Sequence, residues 1–520
     1  MGCDLPLEIL SQIASHFTID YDFTRRTPRE PFPLVAPFTV VSKTWQVAFE
    51  PVIYNTLLVQ SKEKVVTPRC NTGLLTWERF NEITSGAPYR VRRRAWVRRI
   101  VYCIGVPWGI MGGYNFAKLD GYTPDNYMRH ENDEAFHYGM TNLFGVLGSW
   151  GRLEPGLSLN ISLRVEKRNV EEPLTVYEES ADTVTTEYMT GETDSVIPQR
   201  ASFLPGDEGP SLVEVPIIRK VDFDRNKKFQ IVDHLISVDG VMTILKSCPF
   251  LENASIKMEH FLRPDHLEAL KDRRNGIAKG LLELPSALEV LRLSCDPEEP
   301  WANNMDPPYV LFDGLDTLST NIRRISMDLV EIHLNNVRIS KELFWPTDES
   351  KTENIYWPKL EVIDIKTPPF QPNGSWVFLA DSDDDNMYFE HFDEETWAMN
   401  ISDADAGNPR REILDLYTIN ALYLSASKAV RRMPRLRKFL LDISDFHASM
   451  KLSVAKIQES GKFKIEWVSC TGSQPGYRPD QEICLAWGFD PGDLEFIDDL
   501  SLDKWGDDDR ITTSRALVDL

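Results

Sequence analysis

No run of apolar residues in this chain approaches the ~18 needed to cross a bilayer as a helix, which argues against a helical membrane protein. Cysteine is sparse: seven in 520 residues, at positions 3, 70, 103, 248, 295, 470 and 484. Their number is odd, and none forms a CxxC or a Cys/His pair at zinc spacing, so neither a disulfide framework nor a zinc module is expected. Positive charge is also short. Against 80 Asp+Glu there are 57 Lys+Arg, a formal net charge of −23, which disfavours nucleic acid or an anionic membrane as a partner, because phosphate neutralisation needs clustered cations. The amino terminus lacks a basic-then-apolar segment, so the expected location is cytoplasmic or nuclear, and the sequons at Asn160, Asn253, Asn373 and Asn400 are then inert. Met1-Gly2-Cys3 would invite acylation only with Ser or Thr at the sixth position, where Pro6 stands.

Catalytic signatures are missing too. GxSxG, GxxxxGK[ST], GxGxxG, HExxH and the kinase set do not occur. Carboxylates are so numerous that pairs arise at every spacing by chance, and none can be singled out as acid and base. His260 with His266, and His130 with His137, lack a ligand pattern. Asp381, Asp383 and Asp385 imitate the start of a calcium loop, but Asn386 replaces its glycine and Phe392 its bidentate glutamate. No catalytic residue, metal or cofactor is therefore expected, and the aromatic residues are read as core.

What the sequence does contain is periodicity. Pro6 and Glu8 suit a helix start, with Ile9, Ile13 and Phe17 following at i, i+4 and i+8. A second stripe runs Val41, Trp45, Ala48/Phe49 and Val52, with Pro51 expected to end that helix and open a short one carrying Ile53 and Tyr54. About sixty residues bury two such stripes poorly on their own. Between them, Thr18 to Pro37 reads as a proline-rich loop. The run "YRVRRRAWVRRI" (Tyr89 to Ile100) is read as a solvated face paired with the chain's own carboxylates in preference to a phosphate or RNA site, with a strand from Ala95 to Ile104. Glu131 to Leu147 reads as an amphipathic helix, with Ala135, Met140, Leu143, Phe144 and Leu147 on one side.

The second half repeats a phrase: helix, breaker, then L-x-x-φ-x-φ. Copies are "CPFLENASIKM", "LPSALEVLRLSC", "LVEIHLNNVRIS", "WPKLEVIDIKT" and "MPRLRKFLLDI", with "VPIIRKVDF" and "FKIEWVSC" as end copies. Helices are expected over Ile231 to Lys246 and Ile413 to Arg432. A strand and a helix per turn, stacked so that neighbours share a core, is leucine-rich-repeat logic, although the spacing is irregular. From Leu360 to Leu436 it is 76 positions, which implies an unseen strand or a long insertion. The expected organisation is a helical module at 1–60, a mixed linking region at 61–165, an acidic excursion at 166–211, and at 212–520 a solenoid carrying an acidic insertion near 381–407. The fold class is α+β or α/β.

The opening segment "LPLEILSQIASHF…VVSKTWQVAFEPVIYNTLLV" resembles the F-box. Leu5, Pro6, Glu8, Ile9, Leu10 and Ile13 match its first helix, Val41, Ser42, Lys43 and Trp45 its last, and Tyr54 and Leu57 its close. The phrases "FNEITSGAPYRVRRRAWVRRI", "ENDEAFHYGMTNLFGVLGSW", "ISKELFWP" and "WPKLEVIDIKTPPFQPNGSWVF" resemble the ascomycete branch of F-box-like proteins. The resemblance implies a non-catalytic substrate receptor of a cullin-RING ubiquitin ligase, docking a Skp-type adaptor and, through it, a cullin, while the repeats hold a protein substrate. Leu5, Pro6, Leu7, Glu8, Ile9, Ile13, Val41, Ser42, Lys43 and Trp45 are then adaptor-facing or adaptor-supporting, with internal glue an equal alternative for Ile13 and Trp45. Val41 follows Leu5 by 36 positions, longer than the family's usual run, which implies weaker adaptor affinity. The alternatives are a binding scaffold whose F-box recruits no cullin and an enzyme hidden in acidic clefts of the solenoid.

Overall fold

A computed structural model describes residues 5–16, 36–62, 75–107, 127–152, 154–165, 201–204, 211–223, 236–258, 267–295, 307–348, 350, 352, 354–380, 411–444, 448–471, 476–500 and 510–518. The expected loop at 18–37, the excursion at 166–211 and the insertion at 381–407 lie wholly or mostly outside these, as do His260 and His266. The chain is mixed α/β and divides into two compact units, Met1–Ser255 and Ile256–Leu520.

In the first unit, helices α1 (Leu7–Ser15) and α2 (Lys43–Asn55) precede strand β1 (Thr56–Gln60). Then come β2 (Leu75–Thr76), α3 (Trp77–Thr84), α4 (Pro88–Arg93), β3 (Arg99–Val106), α5 (Tyr127–Gly148), β4 (Leu157–Val165), β5 (Ile218–Asp222), α6 (Val238–Lys246) and the first half of β6 (Asn253–Met258), a strand that runs across the division between the units. Here β2, β1, β3, β4, β5 and β6 lie side by side in that order, every neighbouring pair parallel. In β3, Ile100, Tyr102 and Ile104 are buried, and the Tyr102 hydroxyl donates to the Gly139 carbonyl of α5 at 2.7 Å. The α5 stripe Ala135, Met140, Leu143, Phe144 and Leu147 is buried, as its spacing requires.

Two local expectations change. Pro51 does not end α2, which continues to Asn55 with the proline inside. The strand expected from Ala95 begins only at Arg99: Pro88, with its φ preset for a first turn, opens α4, and a 3-10 turn (Arg94–Trp96) follows.

In the second unit, β7 (Val290–Cys295), β8 (Glu331–Asn335), β9 (Val362–Thr367) and β12 (Lys438–Ser444) are parallel neighbours in chain order. Leu291, Leu293, Ile332, Leu334, Ile363, Ile365, Phe439 and Leu441 alternate inward, the period-two signature of the repeated phrase. Helices α7 (Leu267–Leu281), α8 (Thr317–Ser326) and α9 (Leu416–Val430) belong to this unit. The wide gap between Leu360 and Leu436 hides no strand of this sheet, because β9 and β12 pair directly, Ile363 opposite Phe439. The intervening chain instead forms a separate antiparallel pair, β10 (Phe378–Ala380) with β11 (Arg411–Leu414). Beyond β12 the pairing turns antiparallel through β13 (Ser449–Lys456), β14 (Phe463–Cys470), β16 (Arg510–Val518) and β15 (Glu495–Leu500), with α10 (Gln481–Trp487) before β15. "FKIEWVSC", expected as an end copy of the repeat, is thus the antiparallel strand β14. Its alternation is the same, and direction cannot be read from alternation alone.

Candidate docking surface at the amino-terminal helices

Helix α1 turns Leu10 and Ala14 inward, both fully buried, against Ala48 and Phe49 of α2, and Phe38, Trp45, Val52 and Ile53 pack around them. The Trp45 and Phe49 rings stack at 5.4 Å with planes 5° apart, and Phe38 closes on both at 5.7 and 5.1 Å. This small core fixes what is left outside. Leu5, Leu7, Ile9 and Ile13 are 40%, 40%, 42% and 36% exposed, Val40 and Val41 84% and 60%, and Val47 48%. The i, i+4 pair Ile9 and Ile13 therefore marks the outer face of α1; the stripe that packs is Leu10 and Ala14.

Each residue expected to face an adaptor has a place. Leu5 and Pro6 lead into α1, where the Leu10 N–H donates to the Pro6 carbonyl at 3.1 Å, so Pro6 takes the cap position. Glu8 lies exposed in the first turn, where its charge meets the helix dipole. Ser42 caps α2, its hydroxyl accepting from the Trp45 N–H at 3.3 Å, and Lys43 is exposed beside it. Trp45 is half-buried and belongs to the internal core. Leu7, Ile9, Ile13 and Val41 remain as the exposed apolar set. Val40 and Val47 join it and were missed by sequence reasoning, since exposure on a short helix is decided by which face its partner covers.

Tyr54 lies at the far end of α2, with the Arg93 guanidinium 4.8 Å from its ring centre. Burial raises its hydroxyl pKa, and Arg93 partly offsets that rise. The arginine run pairs in part with the chain's own carboxylates, as expected: Arg93 meets Glu50 at 3.2 Å and Arg90 meets Glu82 at 3.5 Å, whereas Arg94 bonds the Thr84 and Ser149 carbonyls.

The second unit offers a buried polar knot between α7 and α8. Arg274 donates to Asp316 at 2.6 Å and to the Arg338 carbonyl at 3.0 Å, and Asp316 also accepts from the Ser340 hydroxyl at 2.6 Å and from the Ser319 N–H at 3.2 Å. Burial alone would raise the Asp316 pKa, but Arg274 and these hydrogen bonds hold it below the usual carboxylate value. The adjoining cavity, lined by Leu270, Arg274, Leu293, Val310 and Arg338, leaves about 20 Å³, room for roughly one water and not a substrate. Among the described residues no three His, Cys, Asp or Glu side chains are placed to share a metal ion, and no helix is long and apolar enough to cross a membrane.

No protein-family model matches this chain, and no curated protein matches it by sequence.

Proposed function

We propose that this chain is a substrate receptor of an SCF-type cullin-RING ubiquitin ligase, docking a Skp-type adaptor through α1 and α2 and a protein substrate through its parallel strand and helix repeats. The observation that carries this reading is the division of labour on α1. Leu10 and Ala14 serve the chain's own core, while Leu7, Ile9 and Ile13 stand outside with Leu5, Val41 and Val47 also exposed. A soluble surface seldom gathers so many large apolar side chains without a partner to cover them, and an amphipathic helix presenting one apolar face is the form that docks in a groove.

The strand order supports the second half of the reading. Parallel strands adjacent both in sequence and in space, with helices interposed, are how repeat units share a continuous core. No catalytic side chain is needed, since a receptor acts by raising the effective concentration of its target beside the ubiquitin carrier. An intracellular location, cytoplasmic or nuclear, belongs to the same proposal.

The test is affinity capture of the tagged full-length chain from its native cell, followed by mass spectrometry. Adaptor and cullin peptides at near-stoichiometric yield are expected; their absence from a capture that recovers the intact chain sinks the proposal.

A further inference from the structure

The arginine-rich segment after α3 carries an inference independent of the adaptor reading. Four guanidinium-to-ring contacts join it into one surface. Arg90 and Arg93 approach the Tyr89 ring at 5.8 and 5.6 Å, Arg93 the Tyr54 ring at 4.8 Å, and Arg92 the Trp96 ring at 5.7 Å; the Tyr54 and Trp96 rings are themselves 6.2 Å apart. Tyr89 and Val91 are 56% and 40% exposed on α4, and Arg92 is exposed with them.

The carboxylates within this surface do not use up its charge. Glu50 takes Arg93, and Glu82 is shared between Arg79 and Arg90. Among the described residues no carboxylate reaches Arg92. Arg90 and Arg93 already donate to the Tyr89 hydroxyl and to the Glu82 and Ile83 carbonyls, so the guanidinium left to receive a carboxylate on two parallel hydrogen bonds is that of Arg92, exposed beside the Trp96 ring.

We propose that Tyr54, Tyr89, Arg90, Arg92, Arg93 and Trp96 form a docking shelf for a carboxylate-rich segment of a protein partner. Three observations choose this occupant. Arg, Tyr and Trp beside an exposed valine are the residue types that concentrate at protein interfaces, whereas a merely solvated basic face needs no rings. A nucleic acid would call for several phosphate contacts, about 6–10 in well-studied complexes, and within the ring-linked set only Arg92 stands clear of every carboxylate among the described residues. The net charge of −23 repels a long polyanion from the rest of the molecule, a cost that a short acidic segment largely escapes through screening.

The test measures fluorescence anisotropy of the full-length chain with three labelled probes: a Glu/Gly repeat peptide, its Gln/Gly counterpart, and an oligo-dT of equal length. Saturable, salt-sensitive binding of the Glu/Gly peptide alone is expected. Arg92→Glu lowers that affinity roughly ten- to a hundredfold, as loss of a hydrogen-bonded charge pair does. Arg92→Lys falls between, because it keeps the charge and loses the fork. Lys279→Glu, an exposed position on α7, leaves binding unchanged. Thermal melting of Arg92→Glu at the wild-type midpoint separates lost binding from lost fold, and if that variant melts early, Arg92→Gln takes its place. Any of four results overturns the proposal: no saturable Glu/Gly binding, equal binding of Gln/Gly, equal weakening by Arg92→Glu and Lys279→Glu, or tighter, Arg92-dependent binding of oligo-dT.

Discussion

Replacing Ile9 by Asp separates the two faces of α1 more sharply than any other change. Ile9 is 42% exposed, so the fold already has little stake in it, and a polar residue there shifts stability by about 0.5 kcal/mol or less. On the proposed reading the adaptor has a large stake. Fully burying an aliphatic side chain stabilises by about 1.5–3 kcal/mol, so covering what remains exposed of Leu5, Leu7, Ile9, Ile13, Val41 and Val47 is worth about 4–8 kcal/mol in total. That sum is comparable with the ~4–15 kcal/mol of lost rigid-body freedom that association must overcome, so the complex has little to spare. An aspartate at the centre of the covered face removes about 1 kcal/mol of burial and adds several kcal/mol for desolvating an unpaired charge. The expected loss is about a thousandfold or more in affinity for a purified Skp-type adaptor, read by titration calorimetry, with the urea midpoint of the free chain unmoved. Binding within a few-fold of wild type would refute the assignment of this face to the adaptor.

Other outcomes follow from the same geometry. Phe49→Ala, in a core of only a few side chains, costs about 3–5 kcal/mol and should raise hydrogen exchange across α1 and α2 specifically. Ser42→Ala costs about 1 kcal/mol of α2 stability through its lost cap, whereas Ser42→Asp keeps it; amide exchange at Trp45 is the readout. Asp316→Ala strands Arg274 and costs about 3–5 kcal/mol in urea denaturation. Because the folded Asp316 pKa lies below its unfolded value, its contribution is present above the unfolded value and lost as pH falls through the folded one, so Asp316→Asn flattens the acid limb of the stability profile. Asp442 has the opposite sign: burial and Asp364 raise its pKa against Lys366, Lys451 and Ser444. Its stabilising share is present at low pH and lost as pH rises through the folded pKa, so Asp442→Asn should raise stability at neutral pH in the same assay.

The strands of the second unit, though not their direction, were legible because each is declared locally: Leu291 and Leu293, or Ile363 and Ile365, alternate within a few residues of one another. Helix α5 was legible for the same reason at the longer period. What escaped depends on partners distant in sequence. Nothing in Ile9 and Ile13 tells that Phe49, far along the chain, claims Leu10 and Ala14 instead, and the Arg274–Asp316 pair joins residues 42 positions apart. The antiparallel pairing of β14 is likewise set by β13 and β16 and not by its own residues. At the candidate site, the sequence named Leu5, Leu7, Ile9 and Val41 as adaptor-facing or adaptor-supporting and left Ile13 and Trp45 open between that role and internal packing; it named neither Val40 nor Val47, nor the capping role of Ser42.

Direct pairing of β9 with β12 leaves the chain between them without a vote in the register of the sheet. That chain is pinched at its base by β10 and β11, where Ala380 faces Arg411, so residues can be added or removed beyond the pinch while both ends leave from the same points. Loop closure grows only logarithmically with length, so such changes cost little. A reporter spliced in at this position is therefore expected to leave the pairing of β9 with β12 in step.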